Sequence, residues 1–184
     1  MSLFEFVLTG FTLVLALVIT RILAGLRWVL NLERLYWVHA VFVISILILT
    51  SLVWWGLWYQ RDSQWSYVSF AYNLLVGPGI MFYLAVLLVP EIPRRIRDWR
   101  VYYYNVRPAL YWTFLLFVVA LFFGGVFITG VALFDRSQFI MLAGAIVAVV
   151  GILSDRHAVH ASIAVVLGCL VVVSVGLAVT STEY

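Results

Sequence analysis

The sequence predicts an all-α protein: a polytopic transmembrane helix bundle of about six helices, with a short interfacial amphipathic helix between the third and the fourth. Three observations lead there. Hydrophobic residues make up 66% of the 184 positions and charged ones only 10%, with a mean hydropathy of +1.13; soluble domains carry about 25% charged residues, so water is not the main solvent. The apolar residues also fall in blocks near the ~20 residues that cross a ~30 Å hydrocarbon core as helix. Finally, segments such as Phe114 to Val126 are apolar all round, which excludes the period-two alternation of barrel strands.

The first helix is expected from Glu5 to Leu30. It lacks the basic n-region of a secretory signal, carries Glu5 in its place, and runs past Arg21 without a credible cleavage site, so it is read as retained. Arg21 lies about sixteen residues into it, ~24 Å along the axis, in the inner part of the hydrocarbon core. Its side chain is expected either to snorkel to the surface or to pair inside the bundle and line a polar path.

The second helix is expected from Tyr36 to Tyr59 and the third from Val68 to Val89. Asn73 and Gly77-Pro78-Gly79 fall near the middle of the third. A proline there removes a backbone hydrogen bond, so this is where a kink forms, and broken helices at mid-membrane are where transporters hold substrates. Arg21, Asn73 and Pro78 are therefore the candidates for lining a pore or polar path.

Pro90 to Pro108 is the one long linker. It divides a single transmembrane domain (1–184) into residues 5–89 and 109–180. Pro93 suits a first helical turn; from there Ile92, Ile96, Trp99 and Tyr103 fall on one stripe while Arg94, Arg95 and Arg97 point away. This predicts an interfacial helix on the inner leaflet. Arg94, Arg95, Arg97, Trp99 and Arg100 are the candidates for gripping anionic lipid head groups or docking a protein partner.

The remaining helices are expected at Ala109 to Phe134, Gln138 to Leu153 and Ala158 to Thr180. Gly144, Ala148 and Gly151 share one side of the fifth, which allows close backbone approach within the chain or between subunits. The turn after it holds Asp155, Arg156, His157 and His160. His157 and His160 share a helix face, and with His39 they are the three histidines of the chain, all expected on one membrane side; they are the candidate metal or haem ligands. No other cofactor is predicted. Cys169 is the single cysteine, which excludes an intrachain disulfide.

Orientation follows from the arginines. Nine of them (Arg21, Arg27, Arg34, Arg94, Arg95, Arg97, Arg100, Arg107, Arg156) fall on one side and only Arg61 and Arg136 on the other. Positive residues stay cytoplasmic, so both termini are expected outside and the long linker inside. Trp54, Trp55, Trp58, Tyr59 and Trp65 make the outer aromatic belt, and Trp28, Trp37, Trp99 and Trp112 the inner one.

Several functions are excluded. The chain has no lysine, so no Schiff-base chemistry of the retinal type is available. It has no phosphate loop, potassium-filter sequence, serine-nucleophile motif or His-Glu-x-x-His. Carboxylates within the membrane, the usual means of proton coupling, occur only at helix ends. The two triplets of helices share no motif, which argues against an inverted repeat.

The run Trp54-Trp-Gly-Leu-Trp-Tyr-Gln-Arg-Asp-Ser-Gln-Trp65, then Leu87-Leu-Val-Pro90 and Tyr102-Tyr-Tyr, resembles a family of small bacterial multi-pass inner-membrane proteins of unknown function. The resemblance covers roughly residues 5 to 115 and implies a bacterial inner membrane and no catalytic residue. The leading expectation is a homo-oligomeric channel or passive transport protein. The alternative is a non-transporting subunit that binds lipid, quinone or haem, or anchors a partner complex through its basic cytoplasmic face. Nucleic acid is not an expected partner.

Overall fold

The computed structural model describes residues 3–61, 65–127, 130–133 and 135–180. Among them six helices are long and apolar enough to cross a membrane, and the fold is an all-α polytopic bundle. The spans are α1 (Leu3–Val29), α2 (Trp37–Gly56, extended by a 3-10 turn Leu57–Gln60), a composite third span, α5 (Trp99–Phe127), α6 (Arg136–Leu153) and α7 (His157–Thr180).

The third span is built in three pieces: α3 (Tyr67–Ala71), a π-helical segment Tyr72–Val76 and α4 (Gly77–Leu88). Its start is a capping box, with Ser69 N donating to Ser66 Oγ (3.1 Å) and Ser66 N to Ser69 Oγ (2.8 Å). The expected irregularity at Pro78 takes the form of the π segment directly before it. Pro78 offers no amide to the preceding turn, and the wider i→i+5 pattern absorbs the missing bond without ending the span.

The stretch after α4 departs from expectation. In place of a separate interfacial helix there is a single 3-10 turn, Pro93–Arg95, flanked by extended backbone at Ile96. The fourth span starts ten residues earlier than predicted, at Trp99, and passes through Pro108. Asp98 explains the early start: its Oδ1 accepts the amides of Arg100 (2.7 Å) and Val101 (3.2 Å), an N-cap that starts the helix there. The predicted end at Phe134 lies outside the described residues; the helix is described as far as Phe127. Asp62 to Gln64, in the aromatic run, also lie outside them.

The spans pack as a closed ring in the order α1, α2, α7, α6, α5, α4, with α2 also against α4 and α5. The two sequence halves therefore share one core, in which Ile22, Phe42, Leu84, Phe117 and Ala164 belong to a single cluster. Large apolar side chains such as Leu13, Leu17, Leu116, Leu142, Val165 and Val172 point outward, as a lipid-facing surface requires. Gly144 and Gly151 are used inside the chain. A Cβ on Gly144 would lie 3.3 Å from Val118, and one on Gly151 only 2.2 Å from the Tyr111 ring, so the small-residue side of α6 faces α5.

Candidate functional site

The buried histidines, His39 and His160, and the tyrosines Tyr36, Tyr103 and Tyr111 gather at the arginine-rich end, where the loops 30–36, 89–98 and 154–156 meet. The last carbonyls of a helix have no intrahelical donor, and in a bilayer each one left unpaired costs several kcal/mol. At the end of α4, three successive ones are met from three different helices. Tyr102 OH of α5 donates to Leu87 O (2.8 Å), His39 Nε2 of α2 to Leu88 O (3.0 Å), and Arg21 Nε of α1 to Val89 O (2.9 Å). The guanidinium also suits the negative end of the helix dipole. Gly25, one turn beyond Arg21, lies so close to Val89 that an added Cβ would stand 2.1 Å from its Cγ1.

Beside this clasp lies a buried tyrosine–histidine network. His160 Nε2 is 2.8 Å from Ser154 O, and since a carbonyl only accepts, Nε2 carries the proton and Nδ1 is an acceptor. Tyr111 OH and Tyr103 OH stand 3.0 and 3.2 Å from that Nδ1 and 2.9 Å from each other. One hydroxyl donates to the nitrogen and the other to its neighbour, so three groups from α5 and α7 satisfy one another. Arg107 reaches across to Ser154 O and forms an ion pair with Asp155. His39 stacks on Trp99 at 5.0 Å, and Trp99 Nε1 donates to Trp28 O (2.9 Å).

Outside the network, the loops enclose an open cavity of about 420 Å³ lined by Glu33, Arg34, Leu35, Tyr36, Trp37, Arg97, Asp98, Arg100 and His157. Arg34 Nη1 donates to Ile96 O (3.2 Å), and Tyr36 OH is 3.0 Å from His157 Nδ1. Burial pushes the Tyr36 hydroxyl above its ordinary value, with Arg100 pulling the other way, so this group stays protonated. At the opposite end an apolar groove of about 370 Å³ is walled by Phe4, Leu8, Trp54, Trp55 and Trp58.

The path-lining candidates are not brought together. Arg21 is at the arginine-rich end of the bundle on Val89, whereas Asn73 is near the opposite end, its Nδ2 on Ser69 O (2.9 Å) and its Oδ1 3.4 Å from Gln60 Nε2. Pro78 is buried in the core of the third span.

The lipid candidates divide. Arg97 and Arg100 line the cavity, whereas Arg94 and Arg95 stand exposed on the 3-10 turn. Trp99, expected at the surface, is 1% exposed; its helix begins earlier than predicted and turns it inward, out of reach of lipid. His39 and His160 are each committed to a backbone carbonyl, His157 faces Tyr36, and among the described residues no group of three possible metal ligands forms.

Sequence reasoning missed Arg34, Tyr36, Tyr102, Tyr103, Tyr111 and Arg107 as members of the site. The Tyr102-Tyr-Tyr run and the eight-residue step from Tyr103 to Tyr111, about two helical turns, were the available signal. Compared with known protein families, curated proteins and solved structures, the chain matches none, so the reading of its function rests on its own geometry.

Proposed function

We propose that the protein is a non-transporting subunit of a bacterial inner membrane that holds anionic lipid through its arginine-rich, cytoplasm-facing end. The observation that carries this reading is the division of labour at that end. Arg21 and His39 are occupied with capping α4, while Arg34, Arg97 and Arg100 line an open cavity at the same end. Cationic side chains at this depth attract the anionic leaflet, at about 1 kcal/mol each. The candidates for lining a channel, Arg21, Asn73 and Pro78, serve capping, local hydrogen bonding and packing.

The test uses protein released gently from its own membrane and then reconstituted. Native mass spectrometry reads the number of chains and any lipid retained; the same preparation in liposomes is assayed for ion and solute flux. Retained anionic lipid with no flux above empty vesicles is the expected outcome. Flux across voltage or osmotic stress, without selective retention of anionic lipid, would overturn the proposal in favour of a channel.

A further inference from the structure

We infer that the cavity between the inner loops is a binding site for a phosphate group, held by Arg34, Arg97 and Arg100 beside the starts of α2 and α7. The inference deepens the proposed lipid-holding function and rests on it in part, because a phosphate group reaches this cavity either on a lipid or free in solution.

Size is the first argument. About 420 Å³ falls within the ~300–1,000 Å³ of small-ligand sites.

Charge is the second. Three guanidinium groups line the wall. Among the described residues the side chains of Arg97 and Arg100 make no hydrogen bond or ion pair, and Arg34 gives up one Nη1 to Ile96 O. Each guanidinium has about five N–H donors in a planar fork that matches phosphate oxygens. Two acids, Glu33 and Asp98, share the wall with the three arginines and leave a formal surplus of one positive charge; Asp98 Oδ1 is taken up by the first amides of α5. Tyr36 OH and His157 add a polar pair on the same wall.

Backbone placement is the third. The N-cap position of α2 is Tyr36, which makes no side-chain cap, so the first-turn amides of that helix lack the usual acceptor. α7 begins at His157, also on the wall. The starts of two long helices thus border the cavity, and helix N-termini favour anions. Three guanidinium forks offer more donors than the two oxygens of a single carboxylate can take, and suit the oxygens of a phosphate group better. Trp37, half-exposed on the rim, sets the depth at the lipid head groups.

Arg94 and Arg95 provide an internal control, since they carry the same charge on the same loop but do not line the cavity. The full chain in detergent micelles is titrated with inorganic phosphate, with short-chain phosphatidic acid, and with diacylglycerol of the same chain length. The variants are Arg97→Gln/Arg100→Gln and Arg94→Gln/Arg95→Gln, each checked for unchanged thermal stability.

The expected result is binding of phosphatidic acid and none of diacylglycerol. Removing the cavity pair weakens it by about tenfold or more, the loss of about one charge-assisted hydrogen bond, while the outer pair changes it by less than about twofold. Equal weakening by both pairs, or by neither, would overturn the site while leaving the lipid-holding function standing. Inorganic phosphate binding as tightly as phosphatidic acid, with the same dependence on the cavity pair, would support the site and overturn the lipid reading. Binding of neither phosphate probe would overturn both.

Discussion

Replacing Gly151 by alanine should loosen the bundle out of proportion to the single methyl group added. A Cβ at that position would lie 2.2, 2.4 and 2.5 Å from Cε1, Cζ and Cδ1 of Tyr111, whereas carbon atoms rest at ~3.5–4.0 Å. More than ~1 Å must be found. The Tyr111 ring cannot supply it cheaply: it is fully buried, its hydroxyl is tied to His160 and Tyr103, and Phe42 packs edge-on against it at 5.5 Å. Either α5 and α6 separate, an overpacking cost of about 1–3 kcal/mol, or the ring swings out and forfeits hydrogen bonds at about 1 kcal/mol each. Either way the cost is roughly 1–3 kcal/mol, a fall in melting temperature of roughly 2–12 °C for a chain of this length. Fluorescence-detected size-exclusion chromatography after heating in detergent measures it. Gly176→Ala, where nothing lies within 4 Å, should sit within a degree or two of wild type, and Gly144→Ala between the two. Equal melting of all three variants would refute the argument.

Other consequences can be checked by the same assay. Arg21→Met should destabilise by about 1–3 kcal/mol, because Val89 O loses its charged donor, and Arg21→Lys should recover part of the loss. His160→Phe should cost roughly 1–2 kcal/mol, because Ser154 O keeps only the Arg107 donor and the two tyrosines are left only each other. At the start of α6, hydrogen bonds from the Ser137 hydroxyl and amide hold the exposed Asp135 carboxyl below its ordinary value of 3.8. A depressed native value means stability that is full above the ordinary value and is lost as pH falls through the native one. Thermal stability of wild type should therefore decline below about pH 4 more steeply than that of Asp135→Asn, which keeps the cap without the charge; parallel profiles would contradict this.

The existence of six spans was legible because the bilayer imposes a length and a composition that no other environment demands. Five of the six starts were placed within two residues or so, at Leu3, Trp37, Tyr67, Arg136 and His157. The fourth was not. Pro108 read as a boundary, yet Asp98 caps a helix that runs through it, and tertiary hydrogen bonds from Trp99, Tyr102 and Tyr103 hold the turns before the proline. Such bonds join residues as far as 71 positions apart and leave no local trace.

The same reason hid the roles of Arg21 and His39. A charge or imidazole in an apolar run signals that something polar must be near, but the something here is backbone, the bare carbonyls of Leu88 and Val89. Sequence patterns record side chains and are silent about carbonyls. The arginines of the linker stand out in the sequence as a group, but the division between Arg97 and Arg100 on the cavity and Arg94 and Arg95 outside it depends on how the loop folds over the one holding Arg34.

The ring order of the spans bears on how the protein is made. α7 lies against α2 and α6, and its His160 is the group that Tyr103 and Tyr111 share. A ribosome delivers the two phenols to the membrane some fifty residues before the imidazole that pairs with them (|i−j| = 57 and 49). At a few to about twenty residues per second, that interval is seconds long. Through it the growing chain has polar hydroxyls in lipid with only each other for company, and α2 has an uncovered flank. The arrival of α7 both covers the flank and closes the network.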